Sequence, residues 1–248
     1  PVTLLADATL NAGTGAISLG GTVVGGHHLT LNSTGTTTLN DAIGHNTALT
    51  GLTTNALGTL VMNAHTVTTT GAQSYGEAMT LLSTTTLDAG AGDVTFSRTV
   101  DGGYALTVNS TGVTTFNDGV GSTTALTSLT TNAGGTLRMN AGTVTTTGAQ
   151  SYGEAATLGA ATTLASTGAG AITFGGTLNG AQTLAVNTSG ATTFTGPVGG
   201  TTALTSLTTD AGGTVAINGG VVNTTGAQSY GEAATLGAAT TLTSTGAG

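Results

Sequence analysis

The sequence predicts an all-β solenoid, and three observations carry the prediction. The octapeptide Gly-Ala-Gln-Ser-Tyr-Gly-Glu-Ala occurs three times unchanged, beginning at Gly71, Gly148 and Gly226. A period of about 77 residues marks a stacked architecture in which each unit touches only its neighbours. Apolar residues recur in i, i+2 pairs: Val94 and Phe96, Leu106 and Val108, Leu137 and Met139, Ile172 and Phe174, Val215 and Ile217. Residues two apart on a strand share a face, so Thr95, Thr107, Arg138, Thr173 and Ala216 between them point the other way. Composition agrees. About a quarter of the chain is Thr, there are 43 Gly, and no 3.6-residue apolar pattern runs through it. Thr and Val favour strands, and Gly favours tight turns.

Charge bounds the function classes. Ten acids stand against Arg98 and Arg138, giving a net charge of −8, and only 5% of residues are charged. Nucleic-acid binding needs cations to displace counterions from phosphates, so it is not expected. Anionic membrane surfaces are disfavoured for the same reason. No apolar run approaches the roughly 18 residues needed to cross a bilayer, so no membrane insertion is expected in this segment. Positive mean hydropathy, +0.26, argues against disorder. Absence of Cys fits a large exported chain and a cytosolic one alike.

In chain order, Val2-Thr3-Leu4-Leu5 aligns with Met79-Thr80-Leu81-Leu82, so the first long repeat begins at the start. The whole chain, 1–248, then reads as a single array with repeats 2–78, 79–155 and 156–233 and a partial fourth at 234–248. Both ends cut into the pattern, which predicts an array that continues past them or copies that stack end to end. Within the third copy a shorter unit recurs, starting at Leu164, Val186, Leu207, Val222 and again at Leu242, with the step from Leu207 to Val222 the shortest. Leu87, Val108, Leu129 and Val144 keep this register in the second copy, and Leu10, Leu31, Leu52 and Val67 in the first. The average step of about 20 residues suits one solenoid coil of two or three short strands. The reading is about four coils per long repeat, one of them shortened near Gly219-Gly220. Twelve to thirteen coils at roughly 4.8 Å give a rod on the order of 60 Å long. The one-residue insertion between Leu87-Asp88-Ala89-Gly90 and Leu164-Ala165-Ser166-Thr167-Gly168 should mark a corner, because a slip inside a strand would turn every side chain over. Pro197, beside Gly196, should lie at another.

Each chemical constellation has a plain structural reading beside it. Tyr75, Tyr152 and Tyr230, with Glu77, Glu154 and Glu232, could form a carbohydrate-contacting stripe. Their alignment with Phe174 and Phe194 favours instead a large core residue followed by a solvated corner glutamate. The acids are scattered with no adjacent pair, so no catalytic residues are assigned and no enzyme is expected. His27, His28, His45 and His65 all lie in the first copy and read as drifted surface positions, so no metal ligands are assigned. Asp88-Ala89-Gly90-Ala91-Gly92-Asp93 lacks the Gly-Gly-x-Gly-x-Asp pattern of calcium-binding coils. The glycine corners precede no helix and are not phosphate loops. No cofactor is expected.

Leu184-Ala185-Val186-Asn187-Thr188-Ser189-Gly190 and Leu126-Thr127-Ser128-Leu129-Thr130-Thr131-Asn132-Ala133-Gly134-Gly135, together with the coil length, resemble the repeat region of filamentous-haemagglutinin-type bacterial adhesins. Those are exported proteins of the two-partner-secretion class. The resemblance covers essentially the whole chain and is one of pattern and composition. It implies a right-handed parallel β-helix, display outside the cell at the bacterial surface, and an adhesive or filament-forming role. Expected partners are further copies of the chain, lateral or end to end, and surface glycans. The alternative is ice or glycan binding by one Thr-rich face, through runs such as Thr36-Thr37-Thr38 and Thr145-Thr146-Thr147.

Overall fold

A computed structural model describes residues 1–246, and every element in it is a β-strand. All strand pairs are parallel, and each joins a segment to the one that lies a full turn further along the chain. The chain is therefore a β-solenoid of about 12 turns with roughly 21 residues per coil.

Each coil has three sides. On the first, Ala8, Leu29, Leu52, Gln73, Val94, Thr114, Leu137, Ala156 and Leu178 stack in register. The second carries Ile17, Thr37, Leu60, Met79 and Val100, and further down Val144, Leu164 and Val186. On the third, Val67, Leu87, Val108, Thr131, Tyr152, Phe174, Phe194 and Ile217 form the column. These inward rows are almost completely buried from Leu29 to Val222 and make one continuous core. The paired residues expected inside are inside: Val94, Phe96, Leu106, Val108, Leu137, Met139, Ile172, Phe174, Val215 and Ile217 are each at most 1% exposed. Arg138 between two of them is exposed. Leu164 stacks on Val186, while Leu207 pairs with Leu184, two residues along the same sheet.

Register corrects one expectation. The short step from Leu207 to Val222 is not a shortened coil. Leu207 lies on the second side, between Leu184 and Gln228, whereas Val222 lies on the first, between Val198 and Leu242. The step covers two sides of one turn. The long repeat is accordingly not a whole number of coils. Gln73–Tyr75 sits on the first side, Gln150–Tyr152 on the third and Gln228–Tyr230 on the second. Each copy thus advances three and two-thirds coils, and three copies make eleven.

Corners absorb the irregularities. In the first two copies the register slips at Asn11/Gly13 and Asp88/Gly90, where one residue bulges out of the ladder. The third copy pairs without a slip through Ser166 and places its additional residue in the turn, where Ala169 takes φ 63°. The insertion falls at a corner, as the repeat alignment predicts. Gly121 shows how tight corners become: φ is +63°, and a Cβ there would lie 2.0 Å from the Thr145 carbonyl oxygen of the next coil. Gly121→Ala is expected to cost about 2 kcal/mol or more in chemical unfolding, combining left-handed strain with a backbone clash. Gly103→Ala, where nothing lies within 4 Å, should be close to neutral.

Candidate functional surface

Polar residues divide into an internal set, which holds the coil together, and an external set, which a partner would meet. The internal set is built from the octapeptide. Gln73 is fully buried, and its Nε2 is shared among the carbonyls of Asp88 (2.9 Å) and Val67 (3.2 Å) and Thr69 Oγ1 (3.2 Å). The Tyr75 hydroxyl donates to Gln73 Oε1 at 2.8 Å. Gln150 repeats the arrangement with Val144, Thr146, Ala165 and Tyr152, and Gln228 with Val222, Thr224, Thr243 and Tyr230. A buried amide must be satisfied on both ends, and here the same coil and the next supply every partner.

The tyrosines are core residues, as their alignment with phenylalanine predicts. Tyr75 stacks on Phe96 and Phe96 on Phe116, with centroids 5.4 and 4.9 Å apart. Tyr152, Phe174 and Phe194 form the matching stack on the third side, at 5.0 and 5.6 Å. Burial pushes the hydroxyls of Tyr75 and Tyr152 far above the usual phenol range, and that of half-buried Tyr230 up to about 12. The glutamates correct the expectation of a solvated corner. Glu77 is 1% and Glu154 3% exposed, and Glu232 is half-buried. The corner backbone turns Glu77 and Glu154 inward, where Thr hydroxyls and backbone amides receive their carboxyls.

Thr is not only an outward residue. Ser33, Ser110 and Thr188 face inward at the end of a strand, and each hydroxyl bridges a carbonyl of the previous coil to an amide two residues on. The outward hydroxyls form ladders. On the third side Thr66, Thr86, Thr107, Thr130, Ser151, Thr173 and Thr193 stack one per coil before Ala216 interrupts them. Thr9, Thr30, Thr53, Ser74, Thr95 and Thr115 do the same on the first side as far as Arg138. The second side is mixed, with Val61 and Asp101 among its outward residues.

The acids have turn-forming work. Asp101 Oδ1 accepts from the amides of Thr123 and Thr124, Asp93 Oδ1 from Val113, and Asp7 Oδ1 from His28. The four histidines do not converge. His27 Nδ1 lies 3.6 Å from Asp7, His28 Nε2 meets Thr53 Oγ1, His65 faces the Thr84 carbonyl, and His45 is exposed at another corner. Among the described residues no three metal-ligating side chains come together. No protein-family model, curated protein or solved structure matches this chain.

Proposed function

We propose that this chain is a non-enzymatic structural segment of a secreted bacterial adhesin or extracellular filament, acting as a stiff β-helical rod at the cell surface. One observation carries the reading: the parallel ladder runs unbroken through about 12 turns over a continuous core. Bending or pulling such a rod strains ladder bonds and packed coils together, so stiffness and resistance to proteolysis follow from the stacking. Sides covered with neutral hydroxyls suit lateral contact with further copies and with surface glycans. The filamentous-haemagglutinin-like pattern of the sequence supports display outside the cell. Electron microscopy of the purified chain should show straight rods on the order of 60 Å long. Compact globules would end the proposal.

A second reading rests on the seven-rung Thr/Ser ladder of the third side, which offers a regular hydroxyl row to ice or to a glycan. Thermal hysteresis or glycan-array signal that disappears in Thr107→Tyr would favour it. Signal that survives the substitution would exclude that row.

A further inference from the structure

Each octapeptide carries a glutamate just before its final alanine, and the fold buries the first two inside the tube, where no other carboxyl is as fully buried among the described residues. Glu77 occupies the corner between the first and second sides. Thr37 Oγ1, two coils back, donates to its Oε1 at 3.4 Å, and the Thr54 hydroxyl and the residue's own amide also point at the carboxyl. Its Oε2 is buried without a partner. Glu154, one repeat later, lies at the corner between the third and first sides, with Thr131 Oγ1 at 2.6 Å from Oε2. In the third copy Thr192, Thr209 and Glu232 take these places, and each has a buried oxygen without a partner.

No counter-ion serves these carboxyls among the described residues. The coil before Glu77 brings Asn55 and Ala56 to the corner, and the coil after it brings Arg98. Arg98 is exposed and lies across the outside, its Nε donating to the Ala56 carbonyl at 3.3 Å. Tyr75 beside it is committed to Gln73. Glu154 has Asn132 and Ala133 before it, Gly175 and Gly176 after it, Tyr152 two residues upstream, and Arg138 facing solvent. A buried carboxylate with no cation is neutralised by a proton, because desolvation of the charge outweighs what hydroxyl donors return.

We propose that Glu77 and Glu154 are pH-sensitive latches: as neutral acids they hold their corners shut, and on ionising they release those corners while neighbouring coils stay stacked. Release is local because a solenoid unit depends only on its neighbours. Desolvation raises both carboxyls above the ordinary range, against the opposing pull of their hydroxyl and amide donors. The raised acid binds its proton more tightly folded than unfolded. The latch therefore contributes fully below the ordinary glutamate value of about 4.3 and is lost as pH rises through the raised one.

Hydrogen exchange of the intact chain, corrected for intrinsic rates, tests this on segments 74–79 and 151–156, with 94–97 as internal reference. Between about pH 4.5 and pH 8 protection in the two corner segments should fall about tenfold or more relative to the reference. In Glu77→Gln/Glu154→Gln the fall should vanish. Unchanged corner protection in the wild type, or the same fall in the double variant, overturns the proposal. Infrared spectra of the wild type need no variant: a protonated-carboxyl band should persist at pH values where the exposed carboxyls have already ionised. Its loss together with the exposed acids would also overturn it.

Discussion

Phe174→Ala should open the rod in its last third. The ring is fully buried between Tyr152 and Phe194, 5.0 and 5.6 Å away between centroids. Truncating a buried Phe costs about 3–5 kcal/mol, and here two stacking contacts of roughly 0.5–1.5 kcal/mol each go with it. The tube leaves little room for relaxation, because ladder pairing fixes Tyr152 on one side of the ring and Phe194 on the other. Damage should be confined along the axis, since each coil contacts only its neighbours. Hydrogen exchange should rise over residues 150–196 and change little near Leu31 or Leu52. Denaturant unfolding should show an early transition that the parent chain lacks. Phe174→Leu, which keeps the volume more nearly, should cost less than half as much. An unchanged midpoint for Phe174→Ala would mean that the aromatic column is not what closes this part of the core.

Gln150→Leu should be nearly as severe although the two side chains have similar size. Removing the amide leaves the Tyr152 hydroxyl, Thr146 and the carbonyls of Ala165 and Val144 without the group that joins them. Each buried polar group left unpaired costs about 1–3 kcal/mol, so a total of about 3 kcal/mol or more is expected, with some partners rescued by rearrangement. Tyr152→Phe is the milder control: only Gln150 Oε1 loses a donor, for about 1 kcal/mol. Thermal unfolding of the three proteins ranks them. If Gln150→Leu proved neutral or stabilising, the amide would be an ornament of the core and not its tie.

How much of this was legible depended on which physical rule governed each residue. Strand pairs such as Leu137 and Met139 around exposed Arg138 could be read directly, because period-two alternation and the cost of burying a guanidinium point the same way. The insertion near Thr167 located a corner because an uncompensated slip inside a strand would turn every following side chain over, so extra residues collect where strands end. Gln73 and Glu77 were harder. A polar residue placed inside contradicts the pattern that identifies the interior, and only the coordinates supply the partners from other coils that make it tolerable. The unchanged octapeptide was the available signal: repetition without drift in both polar and apolar letters points to a site filled on every side. Spacing alone also misled at Leu207 and Val222, since a side chain facing the axis looks alike from any of three walls. Nothing in a linear spacing says which wall it belongs to.

The two-thirds remainder in each long repeat has a mechanical consequence. Had a copy filled four whole turns, the bulky aromatic columns would all lie along one wall, and unequal packing would give the tube a built-in curve and a favoured plane of flexure. Instead the Tyr75 column stands on one wall, the Tyr152 column on another and Tyr230 on the remaining one. The bulky columns are thus shared among the three walls over three copies, so no single wall gathers them and a neighbour lying alongside meets a different wall at each copy.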